Sequence, residues 1–370
     1  LALEAPGLVS APAHSAPWSA VARTAPANVL FAQSSSKKKK GSNKTTYYLI
    51  GGGVVVLLVL GGLVILVVKG QPSDKPKKSR VHVTETQIDS YKLLNLMMTG
   101  QTSQVWECSE LSSGRHFALK LLLPEHARDS EQRQYLFHEA EVGKQIVHPN
   151  IIKILDLKRD PVHPYVIMEF FPSTNLKLRL MRKDPFIHER IKDVIEKTAT
   201  GLAYMHSRDW IHRDVKPDNI LFSAAGEVRI IDFALASRRA TRKKGLFGRM
   251  KKVGKAQGTR SYMSPEQIRA EPLDERADVY SFGATLYELL TFRPPFRAAT
   301  AEDLLKKQLY EKPENPQVYN AEITREMADL IIRMLDKNPD KRPRDFSDFL
   351  MKFRAIRVFK PVPVKKKPPA

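Results

Sequence analysis

Ile211 to Leu221 reads IHRDVKPDNIL and sets Asp214, Lys216 and Asn219 close together between apolar flanks. Downstream, an apolar strand is predicted at Val228 to Ile231 and ends in Asp232-Phe233-Ala234. Upstream, Phe117-Ala118-Leu119-Lys120 closes another apolar stretch, and Glu139 lies in the helical pattern that follows it. Carboxylates and a side-chain amide offer oxygen atoms suited to a hard cation, and ammonium groups neutralise anionic oxygens. Taken singly, each Asp or Lys reads as a surface charge. As an ordered set at the ends of strand-like segments, they read as a site.

Lys120, Glu139, HRDxKPxN at 212–219, Asp232-Phe233-Ala234 and Ser264-Pro265-Glu266 stand in an order and spacing that closely resemble the eukaryotic-type serine/threonine protein kinase family, in a bacterial-like, membrane-anchored form, over about 91–355. The resemblance implies an α+β, two-lobed fold with a β-rich N-lobe and a helical C-lobe. It implies ATP and Mg²⁺ as cofactors and proteins with Ser/Thr acceptors as substrates. Phosphoryl transfer of this kind rests on positioning and neutralisation of charge. By the same resemblance the catalytic residues are Lys120, which contacts the α- and β-phosphates, Glu139, which holds it, Asp214, which orients the acceptor hydroxyl and takes its proton, and Lys216, near the γ-phosphate. Asn219 and Asp232 hold the metal. Gly100 belongs to the loop over the phosphates, Val105, Ala118 and Leu221 wall the base, Met168 guards the pocket, and Glu169 to Phe171 form the hinge.

Three positions depart from the family pattern. Of the three glycines expected in the phosphate loop, only Gly100 is present, the others being Met98 and Ser103. Ala234 replaces the glycine after Asp-Phe, where alanine is expected to resist the backbone angles. Gly143 takes a helix position often filled by a larger apolar residue, which is expected to loosen that helix by up to ~1 kcal/mol relative to alanine. Downstream, Gly258 to Glu266 resembles the end of an activation segment, Asp278 to Gly283 the helix start that anchors the catalytic loop, and Arg342 the partner of Glu266. Lys216 with Gly258-Thr259 resembles serine/threonine specificity. Arg213 before Asp214 resembles kinases switched on by phosphorylation, with Ser237, Thr241, Thr259 and Ser261 as candidate acceptors. Thr259 reads better as a structural hydroxyl.

The elements that must position these residues follow from pattern. Short strands are predicted at 91–98, 104–108, 115–123, 152–158 and 164–170, with one helix near 131–146. Helices are predicted at 189–207, 276–291, 300–309, 323–336 and 345–353. Strand-rich then helix-rich makes two lobes.

Tyr47 to Val68 is 22 residues without a charge, long enough to cross a bilayer and flanked by lysines on both sides. We read 1–46 as a disordered segment, 47–68 as a transmembrane helix, 69–90 as a juxtamembrane linker, 91–355 as the catalytic domain and 356–370 as a basic, Pro-rich tail. The 370-residue chain carries 61 Lys and Arg against 40 Asp and Glu. The excess sits in 1–80, 237–265 and 360–370, so the folded bulk is near neutral and nucleic acid is not an expected partner. Residues 237–265 hold ten basic and no acidic residues. They read as a solvated loop, a dock for acidic or phosphorylated partners, or a contact with anionic lipid at 238–260. The single cysteine, Cys108, excludes an internal disulfide, and no His pair flanks a Glu in metal-binding spacing.

The expectation is therefore ATP-dependent phosphorylation of proteins on serine and threonine, autophosphorylation included, by a single-pass membrane kinase with its catalytic domain in the cytoplasm and homodimers formed through the span. The alternative is a catalytically weak pseudokinase acting as a membrane-tethered scaffold, suggested by Met98, Ser103 and Ala234.

Overall fold

Residues 87–161, 163–239 and 259–361 are described by a computed structural model. All belong to the second of the chain's two units, Val81–Ala370. The predicted disordered segment, the span at 47–68, most of the linker, Thr241, most of the basic segment and the end of the tail lie outside the described residues. Among the described residues no helix is long and apolar enough to cross a membrane.

The first lobe is one antiparallel sheet. Strands β1 (Gln87–Ile88), β2 (Tyr91–Thr99), β3 (Ser103–Glu110) and β4 (His116–Leu122) precede helix α1 (Ser130–Gln145), and β5 (Ile154–Lys158) and β6 (Tyr165–Glu169) follow it. The sheet order is β1-β2-β3-β4-β6-β5. Period-2 alternation gives the sheet two faces. Leu93, Trp106, Cys108, Phe117, Leu119, Tyr165 and Ile167 pack on one face. Ala118, Val166 and Met168 pack on the other, against α1 and the second lobe. Lys120 alternates with Leu119 and so shares the inner face with Ala118, which is why a strand-end lysine points into the molecule. Burial pushes the Cys108 thiol up to about 12, so it stays protonated in the core.

Helix α1 starts where the Asp129 carboxylate accepts from the Glu131 N–H at 2.8 Å. It packs along β5, with Gly143 against Ile154. A β-carbon there would lie 2.2 Å from Ile154 Cγ1. The expectation that this glycine merely loosens the helix is therefore corrected: the missing side chain is the space that Ile154 fills. Gly143→Ala is expected to destabilise the domain by about 1–3 kcal/mol through overpacking, despite alanine's better helix propensity. In urea unfolding, pairing it with Ile154→Ala should recover part of that loss, so the two changes will not add.

The second lobe is helical. Strand β7 (Thr174–Asn175) leads into α2 (Leu176–Met181) and α3 (Pro185–Ser207), followed by the short strands β8 (Trp210–Ile211), β9 (Ile220–Phe222), β10 (Val228–Ile230) and β11 (Ser237–Arg238). Then come α4 (Pro265–Ile268), α5 (Glu275–Thr291), α6 (Ala301–Tyr310), α7 (Arg325–Met334) and α8 (Phe346–Arg354). Helix α5 is buried at every residue from Ala277 to Thr291, so it is the lobe's axle and shows no face to solvent there; its polar Asp278, Ser281 and Glu288 meet buried partners instead. Phe282 meets Phe346 and Phe349 edge-on at 5.6 and 5.7 Å. The guanidinium of Arg342 grips both oxygens of Glu266 at 2.6 and 2.9 Å, out of contact with water, and ties α4 to the loop before α8.

Candidate active site

The two lobes face each other across Lys120, Glu139 and Asp232. Lys120 Nζ lies 2.6 Å from Glu139 Oε2 and 3.6 Å from Asp232 Oδ1. Burial works against the ammonium, but the carboxylates of Asp232 and Glu139 hold its pKa above the ordinary lysine value. Burial pushes Glu139 up, against the pull of Lys120. For Asp232, burial is outweighed by Lys120, Lys216 and His212 and by the Ala234 N–H, so its carboxyl stays below the usual range and ionised. Asp232 takes a left-handed φ of 69°, unusual for a side-chain-bearing residue. Phe233 is fully buried and meets the His212 ring edge-on, which seats this turn against the segment that follows Ile211.

The segment between β8 and β9 carries the second group. Asp214 Oδ2 accepts from Lys216 Nζ at 2.6 Å and from Asn219 Nδ2 at 3.1 Å, and Oδ1 accepts from the Thr259 N–H at 3.1 Å. Lys216 also donates to Thr259 Oγ1 at 2.6 Å. Thr259 thus faces this loop as a structural hydroxyl. Asn219 donates to the Asp214 carbonyl as well, at 2.9 Å, so its amide nitrogen is fully engaged and its Oδ1 is left as the available donor atom for a cation. The loop is anchored from below by Asp278, fully buried on α5, which accepts the backbone N–H groups of His212 and Arg213 at 2.7 and 2.8 Å and pairs with His206 at 2.8 Å. Arg213 needs that support, since its φ is 68°.

These groups open onto a cavity of about 280 Å³. Its lining includes Val105, Ala118, Met168, Glu169, Phe171 and Leu221, together with Lys120, Glu139, Lys216, Asn219 and Asp232. Ala118 is paired directly across from Met168, so two apolar side chains form its back wall. The Glu169 carboxylate is bound by Arg229 and by the Lys153 N–H, both at 3.0 Å, which makes it a fixture of the fold. Asp214 and Gly100 are not among the lining residues. Asp214 sits behind Lys216, and Gly100 lies in the turn between β2 and β3, where its N–H donates to Ser103 O at 2.8 Å. Met98 does line the cavity and stands opposite Val105, a thioether in place of a glycine. Ala234 is not among the described residues with positive φ, so the strain expected for alanine there is absent, and the strained residue is Asp232 itself.

Residues 91–351 match the model of the protein kinase domain family. The chain belongs to that family. Its relatives include a probable serine/threonine-protein kinase of Streptomyces coelicolor, 31% identical over 276 residues, which is 74% of this chain and 40% of the relative. The serine/threonine-protein kinase PknB of Mycolicibacterium smegmatis is 32% identical over 73% of this chain and 43% of its own length. PrkC of Bacillus subtilis is 27% identical over 68% and 38%. The chain thus spans about two fifths of the length of the curated relatives it matches.

Within this kinase domain, sequence reasoning missed Leu178, Asn175, Asp218 and Ile231 among the residues that line the cavity. The first two stand on elements of two and six residues, too short for periodicity to reveal. The anchoring by Asp278 carries a prediction. Burial opposes its charge, yet His206, His212 and the His212 N–H hold its carboxyl below the usual range. Its stabilisation is thus present above the unfolded value of about 3.9 and lost as pH falls through the lower folded value. Asp278→Asn turns an amide N–H toward backbone donors, and is expected to cost about 3 kcal/mol in urea unfolding at pH 7. The variant's stability should also change less than wild type's below pH 4.

Proposed function

We propose that the chain transfers the γ-phosphoryl group of ATP to serine and threonine hydroxyls of proteins, its own included. The observation that carries this reading is the held carboxylate of Asp214, fixed by three donors and bridged through Lys216 to Thr259, beside a cavity roofed by the Lys120–Glu139 pair. In this reading Asp214 orients the acceptor hydroxyl and takes its proton as the oxygen attacks phosphorus. Lys120 binds phosphate oxygens, with Glu139 keeping its ammonium in place, and Lys216 neutralises charge at the transferred group. Asn219 Oδ1 and the ionised Asp232 are hard oxygen donors that fit Mg²⁺. When bound, that ion supplies further neutralisation of phosphate charge. The apolar walls at Val105, Ala118 and Leu221 suit a base, and the turn at Gly100 covers the phosphates. The relatives' names support serine and threonine as acceptors.

We further propose a single membrane span at 47–68 with the kinase domain on the cytoplasmic side, where ATP is, pairing of two copies through the span, and contact of 238–260 with anionic lipid. These rest on the sequence: the uncharged apolar run, its flanking lysines and the basic cluster.

The test is incubation of the full chain with labelled ATP and Mg²⁺. Label on serine and threonine that disappears with EDTA is the expected result. ATP binding seen by thermal shift, with no label transferred, would favour the scaffold reading instead.

A further inference from the structure

Glu139 is held from the front by Lys120, but the helix that carries it is also clipped from behind. His138, the residue before it, has Nε2 2.7 Å from the carbonyl oxygen of Ala236. A carbonyl can only accept, so that nitrogen carries the proton and donates. Ala236 belongs to the turn that starts at Asp232, since its N–H donates to Phe233 O at 3.0 Å. The next two residues pair with β8, just before the loop that carries Asp214: Ser237 with Ile211 and Arg238 with Trp210. Arg238 then reaches back: its guanidinium lies 4.2 Å over the Trp210 ring, donates to Arg208 O at 2.8 Å and reaches Gln145 Oε1 of α1 at 2.9 Å. His138 also meets the Trp210 ring edge-on at 6.0 Å. Three elements, α1, the Asp232 turn and the loop carrying Asp214, thus converge on Trp210, and His138 is the half-buried link between the first two.

We propose that His138 is a positioning residue, with Arg238 as its support: it fixes α1 against the Asp232 turn so that the Lys120–Glu139 pair and Asp232 are set together. This rests on the phosphoryl-transfer reading for its catalytic consequence, and on geometry alone for the clip. Without the clip, the Lys120 contacts and the Arg238–Gln145 hydrogen bond at the far end of α1 remain as the polar links to this turn, and α1 is held less tightly against it. Loss of one hydrogen bond of ordinary net strength shifts such an equilibrium about fivefold.

The test uses the full chain and compares wild type, His138→Ala and His138→Gln, whose side-chain amide can reach Ala236 O as a donor. Amide hydrogen exchange is the first readout and needs no activity. His138→Ala should speed exchange about fivefold in 130–145 and 232–238 and leave Glu275–Thr291 unchanged, and His138→Gln should restore it. The second readout is phosphoryl transfer from ATP, where kcat/KM should fall about fivefold in His138→Ala and recover in His138→Gln, with all three chains folded under the assay conditions. Unchanged exchange in His138→Ala overturns the clip, as does exchange raised equally across α5, which marks a general packing residue. Altered exchange with unchanged kcat/KM overturns the positioning role. A wild-type chain that transfers no phosphate overturns the phosphoryl-transfer reading and, with it, the catalytic role of His138, while exchange still decides the clip.

Discussion

Asp214→Asn is expected to lower phosphoryl transfer about 10³-fold while leaving nucleotide binding in place. The size follows from what surrounds the carboxylate. Both of its oxygens already accept hydrogen bonds, from Lys216 and Asn219 on one and from the Thr259 N–H on the other. An amide placed there must turn its N–H₂ toward one of these donors, so it loses a partner as well as its basicity. Asp214→Glu keeps the charge but moves it by one methylene, and a misplacement of about 1 Å at a reacting atom is worth about 10²-fold. The order wild type, Glu, Asn in initial rate with labelled ATP is the expected result. Asp214 does not line the cavity, so ATP affinity by thermal shift should barely change. An Asn variant within tenfold of wild type would remove Asp214 from the mechanism.

Lys120→Met is expected to abolish transfer and to cost about 3 kcal/mol of stability, whereas Glu139→Gln should cost clearly less. The asymmetry comes from the third charge. Lys120 lies between two carboxylates, at 2.6 and 3.6 Å. Removing the charge of Glu139 leaves Lys120 paired with Asp232. Removing Lys120 leaves Glu139, 3% exposed, facing Asp232 with no cation between them. Burial already pushes the Glu139 pKa up, and without Lys120 it rises further above its unfolded value. The folded variant then binds more protons than the unfolded chain, so its stability falls as pH rises through this range. Urea unfolding of Lys120→Met should therefore recover stability between pH 7 and pH 5, and Glu139→Gln should show no such recovery. Equal losses at pH 7 with no pH dependence would mean that Asp232 does not share the site electrostatically.

Much of the second lobe was legible because its helices are long and bounded by recognisable caps. The predicted 345–353 and 300–309 helices are present as Phe346–Arg354 and Ala301–Tyr310, begun by Asp345 and Thr300, whose side chains accept the N–H of the third helical residue. The predicted 323–336 helix is trimmed to Arg325–Met334 because Thr324 caps it at one end and the chain turns after Leu335 at the other. Elements of two to four residues were mostly not legible, the exception being β10, which falls within the strand predicted at 228–231. Strands β7, β8 and β11 exist because neighbouring segments supply their hydrogen-bond partners, and nothing within their own sequence demands an extended backbone. Helix α4 is one turn held by a reciprocal Ser264–Gln267 capping box and by the Glu266–Arg342 pair, which closes over 76 residues of sequence.

The sequence by itself determined two things: the ordered set Lys120, Glu139, Asp214, Asn219 and Asp232, through its resemblance to the protein kinase family, and a strand-rich lobe before a helix-rich one, through local periodicity. The tertiary structure alone decided how those groups act on one another. That Lys120 faces two carboxylates, that Asp232 and not Ala234 holds the strained turn, and that Gly143 leaves room for Ile154 are matters of backbone angles and of distances between separate elements. Such distances are set by packing two lobes to close contact, and no pattern within a single segment encodes them.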